Sequence, residues 1–164
     1  MKKIVAFIFI AILSLTGCGK MEPAEPLMVY SFHGENEQLK VTNGVIVLSD
    51  GNDVFYGGDL EVSEDFPSNI ISFSTTFYVA SENKDQILLS NSVVDRTGSC
   101  IQVDGDLGKI AGEGGSWGTV VNGAQIDDLK NNLFFELTTT DINGEENVYR
   151  LQMLLSEVIA GTER

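Results

Sequence analysis

Residues 71–79 read Ile71-Ser72-Phe73-Ser74-Thr75-Thr76-Phe77-Tyr78-Val79, and they decide the fold class. On an extended chain successive side chains point to opposite faces. Ile71, Phe73, Thr75, Phe77 and Val79 then share one face, and Ser72, Ser74, Thr76 and Tyr78 share the other. A period of two, rich in β-branched and aromatic residues, predicts a strand with one buried face.

The same signals continue on both sides. Gln86 to Val94 follows the polar loop Ser81 to Asp85 and reads as a second strand. Leu133 to Thr140 and Val148 to Leu155 flank Asp141 to Asn147, which contains Asn143-Gly144. An Asn-Gly pair between apolar runs predicts a hairpin, because its turn needs positive φ at both central residues. Asn43-Gly44 lies between Gln38–Thr42 and Val45–Leu48 and predicts another. Leu27 to Phe32 alternates, with Met28, Tyr30 and Phe32 on one face. Val54–Tyr56 and Leu60–Val62 read as one strand interrupted at Gly57-Gly58, which suggests a bulge or a close backbone approach.

Two stretches read as something other than a plain strand. Leu151, Leu154, Leu155, Val158 and Ile159 fit a helical stripe, while Tyr149, Leu151, Met153 and Leu155 fit a strand. The turn before them favours the strand. Gln125 to Asn131 reads as a helical turn. No βαβ alternation is present, which argues against nucleotide-binding α/β folds. The expected architecture is an all-β antiparallel sandwich, jelly-roll or Ig-like, of eight or nine strands.

The N-terminus carries a different message. Lys2 and Lys3 precede an apolar stretch, Ile4 to Leu15, interrupted only by Ser14. Twelve residues are too few to span a bilayer, which takes about 20. A basic start, a short apolar run and small residues at its end mark a secretory signal peptide. Leu15-Thr16-Gly17-Cys18 resembles the lipobox of bacterial lipoproteins. The resemblance implies cleavage before Cys18 and a diacylglycerol on its thiol. It also implies an exported protein, anchored through lipid such as palmitate to the extracytoplasmic face of the cell membrane, or to an outer membrane where the host has one. Gly19 follows the Cys, where an Asp would resemble the inner-membrane retention signal of Gram-negative lipoproteins.

The resulting organisation is a signal peptide at 1–17, a lipidated Cys with an extended tether at 18–26, and one β domain at 27–164. Tether residues Gly19 to Pro26 reach at most roughly 25–29 Å. Cleavage removes Lys2 and Lys3 and no acid, leaving 147 residues with 8 basic against 24 acidic side chains and a formal charge of −16. That charge repels anionic headgroups and argues against nucleic acid as a partner. Cys100 becomes the only free cysteine, expected to be a small buried hydrophobe.

Candidate site residues are few. Asp104 to Gly118 holds six glycines and reads as a long loop, either a flexible connection or a ligand-contacting one. No phosphate-binding motif occurs in it. Trp117, the sole Trp, is a platform for a sugar ring or a buried anchor. Asp104 and Asp106 are candidate ligand-binding acids. Neither they nor Asp50, Asn52 and Asp53 match an EF-hand loop. No cofactor is expected, and calcium is the one cation the oxygen-rich composition would suit.

His33 is the only histidine and reads as structural. The leading functional expectation is a lipid-anchored binding or adaptor module of the cell envelope, with a protein or glycan partner. One alternative is a carbohydrate-binding module using Trp117 and the glycine-rich loop. Another is a glycan hydrolase using paired carboxylates, such as Glu61 with Glu64 or Asp127 with Asp128, which need about 5–9.5 Å between them across a cleft.

Overall fold

The structure, a computed structural model, describes residues 27–48, 52–82, 84–113 and 123–158. Its strands are β1 (Met28–Glu35), β2 (Leu39–Leu48), β3 (Asn52–Tyr56), β4 (Asp59–Val62), β5 (Ile70–Val79) and β6 (Gln86–Val94). They continue with β7 (Gly105–Asp106), β8 (Lys109–Glu113), β9 (Leu133–Asp141), β10 (Glu146–Gln152) and β11 (Leu154–Glu157). A helix, α1 (Gly123–Asn132), precedes β9. One antiparallel sheet runs β11-β1-β2-β3-β8, with β4 between β2 and β7. The other runs β10-β9-β5-β6. The protein is an all-β antiparallel sandwich, as the period-two pattern predicts.

Three of the eleven segments are continuations of the one before. β3 and β4 are halves of one strand bent at Gly57-Gly58, and both pair with β2. β7 and β8 pair with them in turn and bend at Leu107-Gly108. β10 becomes β11 at Met153, where the chain crosses from the second sheet to the first. Met153 is fully buried, and its N–H donates to the Leu133 carbonyl at 2.9 Å. Eight passages of chain remain, within the expected number, and 148–157 is strand on both sides of the crossing.

The core is built from the inward positions of both sheets. Phe32, Phe55, Phe77 and Phe135 are each at most 1% exposed. Phe77 from the second sheet lies 5.6 Å from Phe32 and 5.1 Å from Phe55 of the first, centroid to centroid, and 4.9 Å from Phe135. Offset and edge contacts of this kind suit the ring quadrupoles, and burying each ring contributes roughly 1.5–3 kcal/mol. β5 keeps the predicted alternation from Phe73 to Phe77 but not at its start. A register shift against β9 between Ile70 and Ser72 puts Ile70 in the core and leaves Ile71 half-buried.

Four expectations need correction. First, Asn43-Gly44 does not reverse the chain, and β2 runs straight through it. Asn43 alone has positive φ, at 58°, and Thr42-Asn43 bulges opposite His33. Gly44 sits beneath the Phe32 ring, which would collide with any Cβ there. The bulge hands β2 from β4 to β3 on its other edge. Gly58, φ 80°, packs against the Thr42 carbonyl at the same level. Second, the glycine-rich stretch is not a loop from its start, because Gly105–Asp106 and Lys109–Glu113 are strands of the first sheet. Residues 114–118 lie outside the described residues. Third, the helical turn expected at 125–131 is part of a ten-residue helix. Fourth, Cys100 is exposed, because it sits on the connection between β6 and β7 and not on the inward face of a strand.

Candidate functional site

A sandwich has two open sides, where its sheets present edge strands. On one of them the edge of the second sheet, β6, stands beside the edge of the first, β7–β8. Asn91 on β6 ties the two together: its Nδ2 donates to the Leu107 carbonyl at 2.7 Å. Next to this tie lies a cleft of about 330 Å³. Phe73 and Thr75 of β5, Asn91, Ser92 and Val93 of β6, Leu60 of β4, and Val103 to Gly108 line it.

Alternation builds the wall at 103–108. Val103 and Leu107 turn inward and are buried, while Asp104 and Asp106 stay exposed at the rim. The rim is held by local hydrogen bonds. Asp106 Oδ1 accepts from the Gly108 N–H at 2.6 Å, and Asp104 Oδ2 accepts from Gln102 Nε2 at 2.9 Å. The Leu107 N–H donates to the Gly58 carbonyl and the Gly57 N–H to the Gly108 carbonyl, each at 2.9 Å. The bend at Gly57-Gly58 thus fixes the bend at Leu107-Gly108. Together they let the edge of the first sheet fold over the cleft.

The electrostatics of the rim are negative. Asp106 lies opposite Asp59 in the β4–β7 pair. Tyr56 sits beside them, and its hydroxyl is raised above its ordinary value by burial, then by the charges of Asp106 and Asp59. Asn43 Nδ2 donates to Asp59 Oδ2 at 2.9 Å. No described residue lining the cleft is basic. The cleft therefore offers an apolar floor, an amide and hydroxyls part-way up, and carboxylates at its mouth. Ligand sites of this size commonly combine apolar walls with a few placed polar groups.

A second, shallower cleft of about 290 Å³ adjoins it through Val103. Phe66, Pro67, Cys100 and Ile101 are among its walls.

Of the residues singled out from sequence, Asp104 and Asp106 come together at the cleft. Trp117 and Cys18 lie outside the described residues. His33 is exposed on β1. Glu61 pairs with Lys40 at 3.3 Å on the surface, and neither it nor Glu64 lines the cleft. Among the described residues no group of three or more His, Cys, Asp or Glu is placed to hold a metal. Phe73, Thr75 and Asn91 carry no sequence signal that marks them as site residues. Their alternation says only that one face of each strand is inward, not that the sandwich opens there. The chain matches no known protein family, no curated protein and no solved structure.

Proposed function

We propose that the chain is a lipid-anchored, extracytoplasmic binding module whose ligand seats in the cleft between β6 and the 103–108 wall. The carrying observation is the cleft itself: about 330 Å³ with apolar walls and a polar mouth, bounded by the Asn91–Leu107 tie. The lipobox-like Leu15-Thr16-Gly17-Cys18 supports the anchor, and the tether through Pro26 supports a domain close to the membrane. The wealth of acids at the rim supports a ligand that is neutral or cationic. A glycan is the second reading, because Asn91, Asp104 and Asp106 carry groups that hydrogen-bond sugar hydroxyls and Phe73 offers a flat apolar face.

Thermal unfolding tests the binding role. The purified protein is melted with muropeptides, neutral oligosaccharides and short peptides in turn. A binder present at 100 times its Kd stabilises by about 2.7 kcal/mol. Val93→Trp fills the cleft from its half-exposed β6 wall and is expected to cancel the shift. A shift that survives Val93→Trp, or a panel without any binder, contradicts the reading.

A further inference from the structure

We infer that the occupant of this cleft is an ammonium ion carried on an apolar body, seated with the body between the sheets and the charge at the mouth. The inference rests on the cleft being a binding site and names its ligand class. Asp104 and Asp106 stand at the mouth, and Asp59 lies opposite Asp106 in the β4–β7 pair. Each carboxylate accepts from a neutral donor: Asp104 from Gln102, Asp106 from the Gly108 N–H and Asp59 from Asn43. Among the described residues none of them forms an ion pair. Lys109, the nearest base in sequence, does not line the cleft. Like charges held directly opposite each other on a sheet repel, and a cation at the mouth relieves that repulsion. The Tyr56 hydroxyl registers the same field, raised by burial and then by the charges of Asp106 and Asp59.

The interior fixes what the cation is attached to. Leu60, Phe73, Val103 and Leu107 give apolar walls that a bare metal ion would leave uncovered. Among the described residues no group of three or more His, Cys, Asp or Glu is placed to hold a metal. The charge stays at the mouth, because burying an ammonium among apolar walls is costly. That orientation excludes a lysine side chain entering ammonium-first. One polar group awaits the inner end of the body. Thr75 is 4% exposed on the inward face of β5 and lines the cleft, and its hydroxyl has no hydrogen-bond partner among the described residues. A ligand hydroxyl there meets a free donor and acceptor. Phe73, two residues away on the same face, offers a ring to an aromatic body. At about 330 Å³ the cleft is at the small end of ligand sites. A hydroxyphenyl-ethylamine skeleton meets these demands, as a free amine or as the N-terminal residue of a peptide.

The test titrates the ¹⁵N-labelled protein with tyramine. Controls are phenethylamine, which lacks the hydroxyl, p-ethylphenol, which lacks the amine, and p-hydroxyphenylpropionate, which carries a carboxylate in its place. Amides of Asn91, Val93, Gly105 and Gly108 are expected to shift with tyramine. Both amine-free controls are expected to bind about ten-fold more weakly or worse. The Asp104→Asn, Asp106→Asn double variant is expected to bind tyramine about ten-fold more weakly and p-ethylphenol as before. Both substitutions are on exposed side chains, so the fold is retained. Thr75→Val is expected to bind phenethylamine unchanged and to lose the preference for tyramine, which Thr75→Ser keeps. Tyrosyl-glycyl-glycine, titrated alongside, assigns the source: tighter binding than tyramine supports a peptide N-terminus, and weaker binding supports a free amine. A tyramine preference that survives Thr75→Val overturns the seating of the body. Cleft binding that an amine-free control or a neutral oligosaccharide matches, or that survives the double variant, overturns the ammonium class and leaves the binding site standing. A cleft silent to every probe overturns both readings.

Discussion

At the scale of single residues, two hydroxyls are out of place. Thr139 is fully buried on the inward face of β9, and its Oγ1 has no hydrogen-bond partner among the described residues. The Tyr78 hydroxyl is likewise buried without a partner among the described residues, its ring lying between Phe134 at 5.8 Å and the Arg150 guanidinium at 5.6 Å. Burial raises that hydroxyl above its ordinary value, against the lowering effect of Arg150. An unpaired buried polar group costs about 1–3 kcal/mol. Thr139→Val is therefore expected to raise unfolding free energy by about 1 kcal/mol, read from the urea midpoint at constant m. Asp141 is the opposite case. It accepts hydrogen bonds from the Glu145 and Asn143 N–H groups, each at 2.8 Å, and from the Asn69 and Asn143 amides, each at 3.0 Å. The Glu145 N–H above all holds its carboxyl below the ordinary 3.8. A depressed carboxyl contributes stability that is present above 3.8 and lost as pH falls through the folded value. Urea midpoints taken from about pH 5 down to about pH 2 should fall more shallowly in Asp141→Asn than in the natural protein.

At the scale of elements, the two Asn-Gly pairs show what local signals can and cannot decide. Asn143-Gly144 turns the chain between β9 and β10, with Gly144 at φ 82° and Asp141 binding the turn's N–H groups. Residues 142–147 around it are exposed, so nothing competes with the turn. Asn43-Gly44 has apolar neighbours and no such anchor, and both edges of β2 are already paired through it. Long-range pairing wins over the turn propensity, and the pair becomes a bulge. Gly44 then serves close packing under Phe32, so Gly44→Ala is expected to cost about 1–3 kcal/mol through overpacking, measured by chemical denaturation. Gly58→Ala should cost more, because it adds an unfavourable positive φ to a collision with the Thr42 carbonyl. The Gly57-Gly58 break was legible, since two adjacent glycines inside an alternating strand remove the side chains that would pack there and free the backbone to bend. The strands at 105–113 were not. Glycines weaken the strand signal, and only pairing with β3 and β4 makes those residues a sheet edge.

At the scale of the whole molecule, the sandwich is legible because alternation is a property of each strand by itself. The site is not, because Phe73 and Asn91 on neighbouring strands meet Val103 of the β6–β7 connection through long-range packing that no local pattern records. Asp104 and Asp106 stood out as exposed acids, and the fold gives them a shared place at one rim. The proposed anchoring is a separate matter, carried by the lipobox-like Leu15-Thr16-Gly17-Cys18. Cys18→Ser is expected to move the protein from the membrane fraction to the soluble exported fraction and to abolish palmitate labelling, with thermal stability unchanged. The central claim, that ligand binds between β6 and the 103–108 wall, is tested most directly by mapping amide shifts as a binder is titrated into the ¹⁵N-labelled protein. Binding in the cleft predicts shifts concentrated at Asn91, Ser92, Val93, Gly105 and Gly108, and their loss in Val93→Trp. Shifts concentrated instead on the outward face of the second sheet, at Ser72, Ser74, Thr76 and Thr138, would contradict it.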